Sequence, residues 1–300
     1  LEDPEGVGKV ELLLVGGSPT GRGVVTSASY GARRFGVRSA MPTAQALRLC
    51  PDATVVGVPR GACNHKSGEI RACLETLAPV VQAASIDEFF LDLMGTERLF
   101  DEPLEVTAHR IRAAVLEATS VSVSIGGGTR RMIAKLASGV AKPGGVHIVP
   151  LGHEAEFMRG LDLAQIPGVG PALVEELRKR GLVRVEEALG VQQEWLERWF
   201  GARRGRWLYA RMRGMDSSEV DPREPRRSIS SERTFFKDLK SDEDLERALL
   251  RLCRSVTHTL RKARLRARTI TVKLRDGDFK TRSRSRTVGE PLETESATYG

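Results

Sequence analysis

Ala84-Ser85-Ile86-Asp87-Glu88-Phe89-Phe90-Leu91-Asp92-Leu93 is an apolar, aromatic-rich run that reads as a buried strand interrupted by two adjacent carboxylates. Burying charge is costly unless it is paired or coordinates a metal. Strand alternation sends neighbours to opposite faces, so Asp87 and Glu88 can serve one site only at a turn or bulge. Taken alone, the pair fits an ordinary structural turn as well as a metal site. A hard divalent cation such as Mg²⁺ takes oxygen ligands and shares them with substrate phosphates, so a phosphate cradle is expected elsewhere in the chain. Ser27, Tyr30 and Arg33 offer a hydroxyl, a phenol and a guanidinium at a spacing that lets them converge. Lys135 and Lys142, the latter in Ala141-Lys142-Pro143-Gly144-Gly145, offer two ammonium groups. The Gly126–Gly128 run is no Walker loop, lacking Gly-Lys-Ser/Thr, and no dinucleotide fingerprint, since Arg131 stands where a third Gly is required.

Outward from this run, helices and strands interleave. A short strand is expected at Gly23–Thr26, with Pro42 placed to open a helix. Helical spacing of apolar residues marks 68–79 and 104–118, and Val121–Ile125 alternates like a strand. This half reads as α/β or α+β. Residues 151–215 have almost no β-branched runs and read as short amphipathic helices around Ile166-Pro167-Gly168-Val169-Gly170-Pro171. That centre matches a helix-hairpin-helix, whose free backbone N–H groups at a helix N-terminus meet phosphate without reading sequence. A tight turn between two structural helices is the plainer alternative. Residues 217–227, polar and broken by two prolines, read as a linker. Beyond it come a strand (228–235), a helix (242–262) and strands at 268–275 and 279–287.

Hydrophobic residues make up 40% and charged residues 29%, which excludes disorder along the whole length. No apolar run reaches the roughly 20 residues of a membrane helix, and no secretory signal is evident at the N-terminus. Cytoplasmic residence is the expectation. The four cysteines and five histidines are scattered without zinc-ligand spacing. The net charge of +8 is localised: residues 222–300 hold 20 Lys+Arg against 12 Asp+Glu, leaving 27 of each in residues 1–221. Such asymmetry points to a polyanion partner. In the last strand Lys280, Arg282, Arg284 and Arg286 alternate onto one face, with a stride of about 6.6 Å per two residues. Lys273 and Arg275 of the preceding strand are expected to extend this ladder sideways. A basic sheet without exposed aromatic anchors favours nucleic acid over a membrane surface.

The string Thr26-Ser27-Ala28-Ser29-Tyr30-Gly31-Ala32-Arg33-Arg34-Phe35-Gly36-Val37-Arg38-Ser39-Ala40-Met41-Pro42 resembles the fingers of the Y-family, DinB-type DNA polymerases. Ser85–Glu88, Ala134–Ala137, Ala141–Gly145, Ile166–Gly170 and Ser228–Thr234 resemble further motifs of that family, in its order. The resemblance spans essentially the whole chain. It implies an α+β multidomain, right-handed polymerase: fingers at 1–59, a ferredoxin-like palm at 60–150, a helix-hairpin-helix thumb at 151–216, the linker 217–227, and an α+β little finger at 228–300. It implies Asp87 and Glu88 as catalytic metal ligands for two Mg²⁺ ions about 4 Å apart. It places Ser27, Tyr30, Arg33 and Lys142 on the incoming dNTP, and Lys135, Gly168, Gly170, Lys273, Arg275, Lys280, Arg282, Arg284 and Arg286 on primer-template DNA. The implied chemistry is error-prone, lesion-bypass synthesis by a nucleoid-associated monomer, with a sliding clamp as partner of the full-length protein.

Three departures stand out. The family begins with a strand bearing a third catalytic carboxylate and a steric-gate aromatic, and Leu1-Glu2-Asp3-Pro4 corresponds to the stretch after that strand. Cys63 stands near the place of a triphosphate-holding Tyr. Tyr299-Gly300 falls within the helix expected before the last little-finger strand, ahead of any clamp-binding tail. The 300 residues are therefore expected to bind primer-template and extend it poorly. The alternative is a catalytically degenerate relative acting as a DNA-bound repair scaffold.

Overall fold

Residues 3, 5–222, 226–292, 294 and 298 are described by the structure, a computed structural model. Glu2, residues 223–225 of the expected linker, and Tyr299-Gly300 lie outside them. The chain divides into two compact units, Leu1–Pro59 with Pro225–Gly300, and Arg60–Glu224.

The first segment forms β1 (Leu13–Gly16), β2 (Val25–Ala28), α1 (Tyr30–Arg33), α2 (Thr43–Leu49) and β3 (Thr54–Val56). β1 is the middle strand, antiparallel to β2 with Leu14 opposite Ala28, and parallel to β3 with Leu14 opposite Val55. Leu14, Val25, Ala28, Ala32 and Ala46 share one core. The strand expected at Gly23–Thr26 starts two residues later because Gly23 is folded into the preceding turn. A Cβ there would come 2.4 Å from the Ser18 carbonyl oxygen. Pro42 is the residue that caps α2, extended at φ −53°, ψ 132°.

In the second unit α3 (Arg60–Leu77) leads into an antiparallel hairpin of β4 (Val80–Ala83) and β5 (Phe89–Asp92). Next come α4 (Glu97–Phe100), α5 (Leu104–Thr119), β6 (Ile125–Gly127), α6 (Arg131–Val140) and β7 (Val146–Ile148). Leu74, Val81, Ile111 and Val115 bury α3, β4 and α5 together. The strand expected over Val121–Ile125 lies instead over Ile125–Gly127, paired parallel to β7. Close packing explains the shift: a Cβ on Gly126 would stand 2.0 Å from the Ser138 nitrogen and 2.2 Å from the Ala134 carbonyl of α6. Only a bare backbone lets helix and strand approach so closely.

The rest of this unit is helical as expected: α7 (Glu154–Arg159), α8 (Pro171–Arg178), α9 (Val185–Leu189), α10 (Gln193–Phe200) and α11 (Ala202–Met212). α6 shares their core, since Met132, Ile133, Leu136 and Ala137 pack with Met158, Leu173, Leu177, Leu196 and Leu208. The expected linker is docked over its first residues. The Glu219 carbonyl accepts from Arg131 at 2.8 Å, and the Asp221 N–H donates to Gln82 at 3.2 Å.

In the C-terminal segment α12 (Asp242–Lys262) precedes β8 (Ala267–Arg275) and β9 (Thr281–Leu292). The Ser241 hydroxyl caps α12 by accepting from the Asp244 N–H at 3.2 Å. Asp242, Glu243 and Asp244 at its start and Arg261 and Lys262 at its end complement the helix dipole. The strand expected at 228–235 is not formed, since among the described residues no strand pairs with it and a strand exists only through its ladder. No helix among the described residues is long and apolar enough to cross a membrane.

Candidate active site

Asp87 and Glu88 occupy the turn of the β4–β5 hairpin. The Ala84 and Ser85 N–H groups both donate to the Glu88 carbonyl, at 2.9 and 3.2 Å, and close it. The turn removes the strand alternation that would have sent the two carboxylates apart. It also removes the burial expected for them: Asp87 is exposed, and the Glu88 side chain keeps 36% of its surface. Ser85 donates its hydroxyl to Asp87 Oδ1 at 2.5 Å and accepts from the Asp87 N–H at 3.3 Å, fixing that side chain.

α6 is docked beside this turn by one face. The Arg131 guanidinium lies 4.3 Å over the Phe90 ring of β5, and one turn later Lys135 forms an ion pair with Glu88. Residues four apart on a helix share a face, so both contacts arise from one docking. Lys135, expected on DNA, is thus engaged by a carboxylate in the free chain. The N-terminus of α6 carries Arg130 and Arg131 and no acidic residue in its first turn. Asp216, 8% exposed, supplies the missing charge by accepting from the Met132 N–H at 3.2 Å. Burial alone would raise its pKa. Hydrogen bonds from the Ser218 hydroxyl and N–H, the charge of the nearby Arg211 guanidinium, and a hydrogen bond from the Met132 N–H outweigh that and hold it below the ordinary aspartate value. Lys142 comes after α6, exposed. Among the described residues, no group of three or more His, Cys, Asp or Glu is placed to hold a metal ion.

The hydroxyl–phenol–guanidinium set lies in the other unit. Ser29 shapes it: its hydroxyl donates to the Glu11 carbonyl at 2.5 Å and accepts from the N–H groups of Leu13 and Ala32, capping α1. Arg33 donates from Nε to the Ala28 carbonyl at 3.0 Å and lies 6.0 Å from the Tyr30 ring centre. Tyr30 and Arg33 are therefore adjacent and exposed, with Ser27 exposed on β2.

The two glycines of the hairpin motif have different roles. Gly168 adopts φ +95°, and a Cβ there would come 2.6 Å from Trp207, so the turn requires glycine. Gly170 caps α8, and nothing lies within 4 Å of where its Cβ would be. The element before the turn is a single 3₁₀ turn, Leu163–Gln165, rather than an α-helix.

Register corrects the basic ladder. β8 and β9 pair with Arg275 opposite Thr281, Lys273 opposite Ser283 and Thr271 opposite Ser285. Directly opposed residues share a face. Arg282, Arg284 and Arg286 therefore stand with Leu274, Val272 and Ile270, while Lys273 and Arg275 lie on the reverse face among hydroxyls. Thr269 with Thr287 at 2.9 Å and Thr271 with Ser285 at 2.8 Å mark that reverse face. A five-residue turn, 276–280, sets this parity, and one residue more or less would have joined the cations. Lys280 precedes β9, its N–H bonded to Asp276 at 2.8 Å. Lys273 pairs with Glu232, whose carboxyl it holds below the usual range, and Arg275 donates to Thr281 at 3.0 Å. The three arginines have no partner among the described residues.

Three residues that matter here were not singled out from sequence: Ser85, Arg131 as a docking residue, and Asp216. Ser85 lies within the acidic motif and Arg131 one helical turn before Lys135. Asp216 carries no local signal, because its partner lies 84 positions away.

The family model described as impB/mucB/samB family matches residues 6–139, and that described as impB/mucB/samB family C-terminal domain matches residues 226–299. DNA polymerase IV of Staphylococcus saprophyticus is 35% identical over 287 residues, covering 96% of this chain and 80% of that protein. DNA polymerase IV of Staphylococcus aureus matches to the same extent. Among solved structures, a Y-family DNA polymerase chimera of Dbh and Dpo4 aligns with a TM-score of 0.83 at 22% identity, covering 99% of this chain and 86% of that one. DinB from Sulfolobus solfataricus aligns with a TM-score of 0.67 at 22% identity and the same coverage.

Proposed function

The chain belongs to the DinB-type Y family of DNA polymerases, and on that premise we propose that it copies damaged template by joining deoxynucleotides to a primer 3′-hydroxyl at Asp87 and Glu88. It is a DNA-directed DNA polymerase. The observation that carries the assignment of the site is the β4–β5 turn, which offers two adjacent carboxylates to solvent with a lysine held against one of them.

The donor set fits a hard divalent cation, since both ligands are carboxylate oxygens within reach of solvent and of a shared phosphate. Two Mg²⁺ ions held by Asp87 and Glu88 would supply charge stabilisation for the attacking and leaving oxygens of an in-line displacement. Ser85 keeps Asp87 oriented before loading. Lys135 neutralises Glu88 in the free chain and, once displaced, presents its ammonium to the DNA backbone. Ser27, Tyr30, Arg33 and Lys142 bind the triphosphate and neutralise its charge. The N–H groups behind Gly170 take a backbone phosphate, which suits contact independent of sequence. Arg282, Arg284 and Arg286 form the electrostatic grip on the duplex, being exposed and unpartnered among the described residues. The Lys273 and Arg275 face is the weaker contact.

With two carboxylates at this site, primer-template is bound and extended slowly. Primer extension with Mg²⁺ on undamaged and abasic templates tests the whole reading. Slow templated addition that continues past the lesion is expected, whereas fast extension that stops at the lesion contradicts it.

A further inference from the structure

Arg22 lies in the loop between β1 and β2, and groups more than 200 positions away in sequence converge on it. Its guanidinium pairs with Asp238 at 2.6 Å, donates to the Phe235 carbonyl at 3.1 Å, and lies 5.7 Å from the centre of the Phe279 ring. Beside it, Phe236 lies across Gly21, where a Cβ would come 2.8 Å from the ring. The turn between β8 and β9 closes the other side, since a Cβ on Gly277 would stand 2.6 Å from an Asp238 carboxylate oxygen. Phe279 adopts φ +61°, a conformation that a bulky residue keeps only when its surroundings impose it. These contacts join the two ends of the chain, and Leu1–Pro59 and Pro225–Gly300 form one compact unit.

We propose that Arg22 is the latch that holds the C-terminal module against the N-terminal segment, with Asp238, the Phe235 carbonyl and Phe279 as its catch. One guanidinium can satisfy all three partners because its planar fork donates in two directions while its face meets an aromatic ring. A lysine cannot reproduce this. The ion pair is partly exposed, at 28% for Arg22 and 48% for Asp238, so competing anions and salt weaken it and the latch is releasable rather than fixed. The latch is independent of the catalytic role of Asp87 and Glu88.

Spin labels at Arg48→Cys and Arg251→Cys, both exposed positions, in a chain with Cys63→Ser and Cys73→Ser, report the distance between the two parts by double electron–electron resonance. The parent gives one narrow distance. Arg22→Glu and, from the other side, Asp238→Arg each broaden the distribution toward longer distances without changing far-ultraviolet circular dichroism. Arg22→Glu combined with Asp238→Arg returns at least half of the narrow population. A parent distribution that is already broad overturns the latch, as does an Arg22→Glu distribution identical to the parent's. A paired reversal as broad as either single variant also overturns it.

Discussion

Asp216→Ala removes the group that anchors α6, and with it the helix that brings Lys135 to Glu88. The carboxylate accepts from Met132 N–H at 3.2 Å, Ser218 N–H at 3.1 Å and Ser218 hydroxyl at 2.7 Å, and meets Arg211 at 3.4 Å. Losing a helix cap costs about 1 kcal/mol. Hydrogen bonds to a buried charge contribute about 1.5–3 kcal/mol, and the shares are not additive. A destabilisation of about 2–4 kcal/mol is expected for Asp216→Ala, and about half that for Asp216→Asn, which retains one acceptor oxygen. Urea titration of parent and variant measures the difference. Because the folded carboxyl is held below its ordinary value of 3.8, the unfolded chain binds the proton more readily. The stabilisation is therefore complete above that value and is lost as the pH falls through the lower, folded one. The gap between parent and Asp216→Ala should stay constant from pH 7 to pH 5 and shrink on further acidification. A gap below about 0.5 kcal/mol at pH 7, the level of an ordinary surface change, would refute the reasoning. So would a gap that does not change with acid.

The basic face and the packing of β6 give further expected outcomes. Replacing Arg282, Arg284 and Arg286 together by Ala should lower the salt slope of duplex binding by about 2 to 3, at about 0.9 per phosphate contact. Lys273→Ala with Arg275→Ala should lower it by less than about 1, because Glu232 and Thr281 already engage those side chains. Equal slopes for the two variants, read from fluorescence anisotropy across a salt series, contradict the register argument. Gly126→Ala should destabilise the second unit by about 2–3 kcal/mol in a denaturant titration, since the new methyl meets backbone of α6 that no rotamer change can move. A neutral result there means that β6 and α6 are not packed as described.

Much of the fold was legible because it rests on local chemistry. α12 runs over the residues that its Ser241 cap, acidic first turn and apolar spacing specify, and the helical run after 151 likewise declares itself through period and turn residues. What sequence did not yield depends on non-local contact. The shift of β6 onto Gly126 is visible only once α6 is packed against it. The unpaired segment at 228–235 has strand-like composition, yet strand formation is decided by a partner that composition cannot report. The site divides in the same way. Alternation let Asp87 and Glu88 serve one site only at a turn or a bulge, and a turn is there. Its exposure ran against the expectation of burial, because apolar neighbours Phe89 and Phe90 described the strand after the turn and not the turn itself. The basic ladder holds for Arg282, Arg284 and Arg286 within β9, whereas Lys280 lies in the turn before the strand and Lys273 and Arg275 take the reverse face, since cross-strand faces depend on the parity of the turn at 276–280.

Synthesis at Asp87 and Glu88 is tested by a single-nucleotide incorporation assay with the chain in excess over primer-template, comparing parent with Asp87→Ala/Glu88→Ala in Mg²⁺ and in chelator. Slow, templated, Mg²⁺-dependent addition is expected of the parent. The double variant should lose that addition by at least about a hundredfold, a deficit of roughly 2.7 kcal/mol in transition-state stabilisation, with duplex affinity within about twofold of the parent. Addition that survives the double substitution, or that is lost only together with duplex binding, would contradict the assignment.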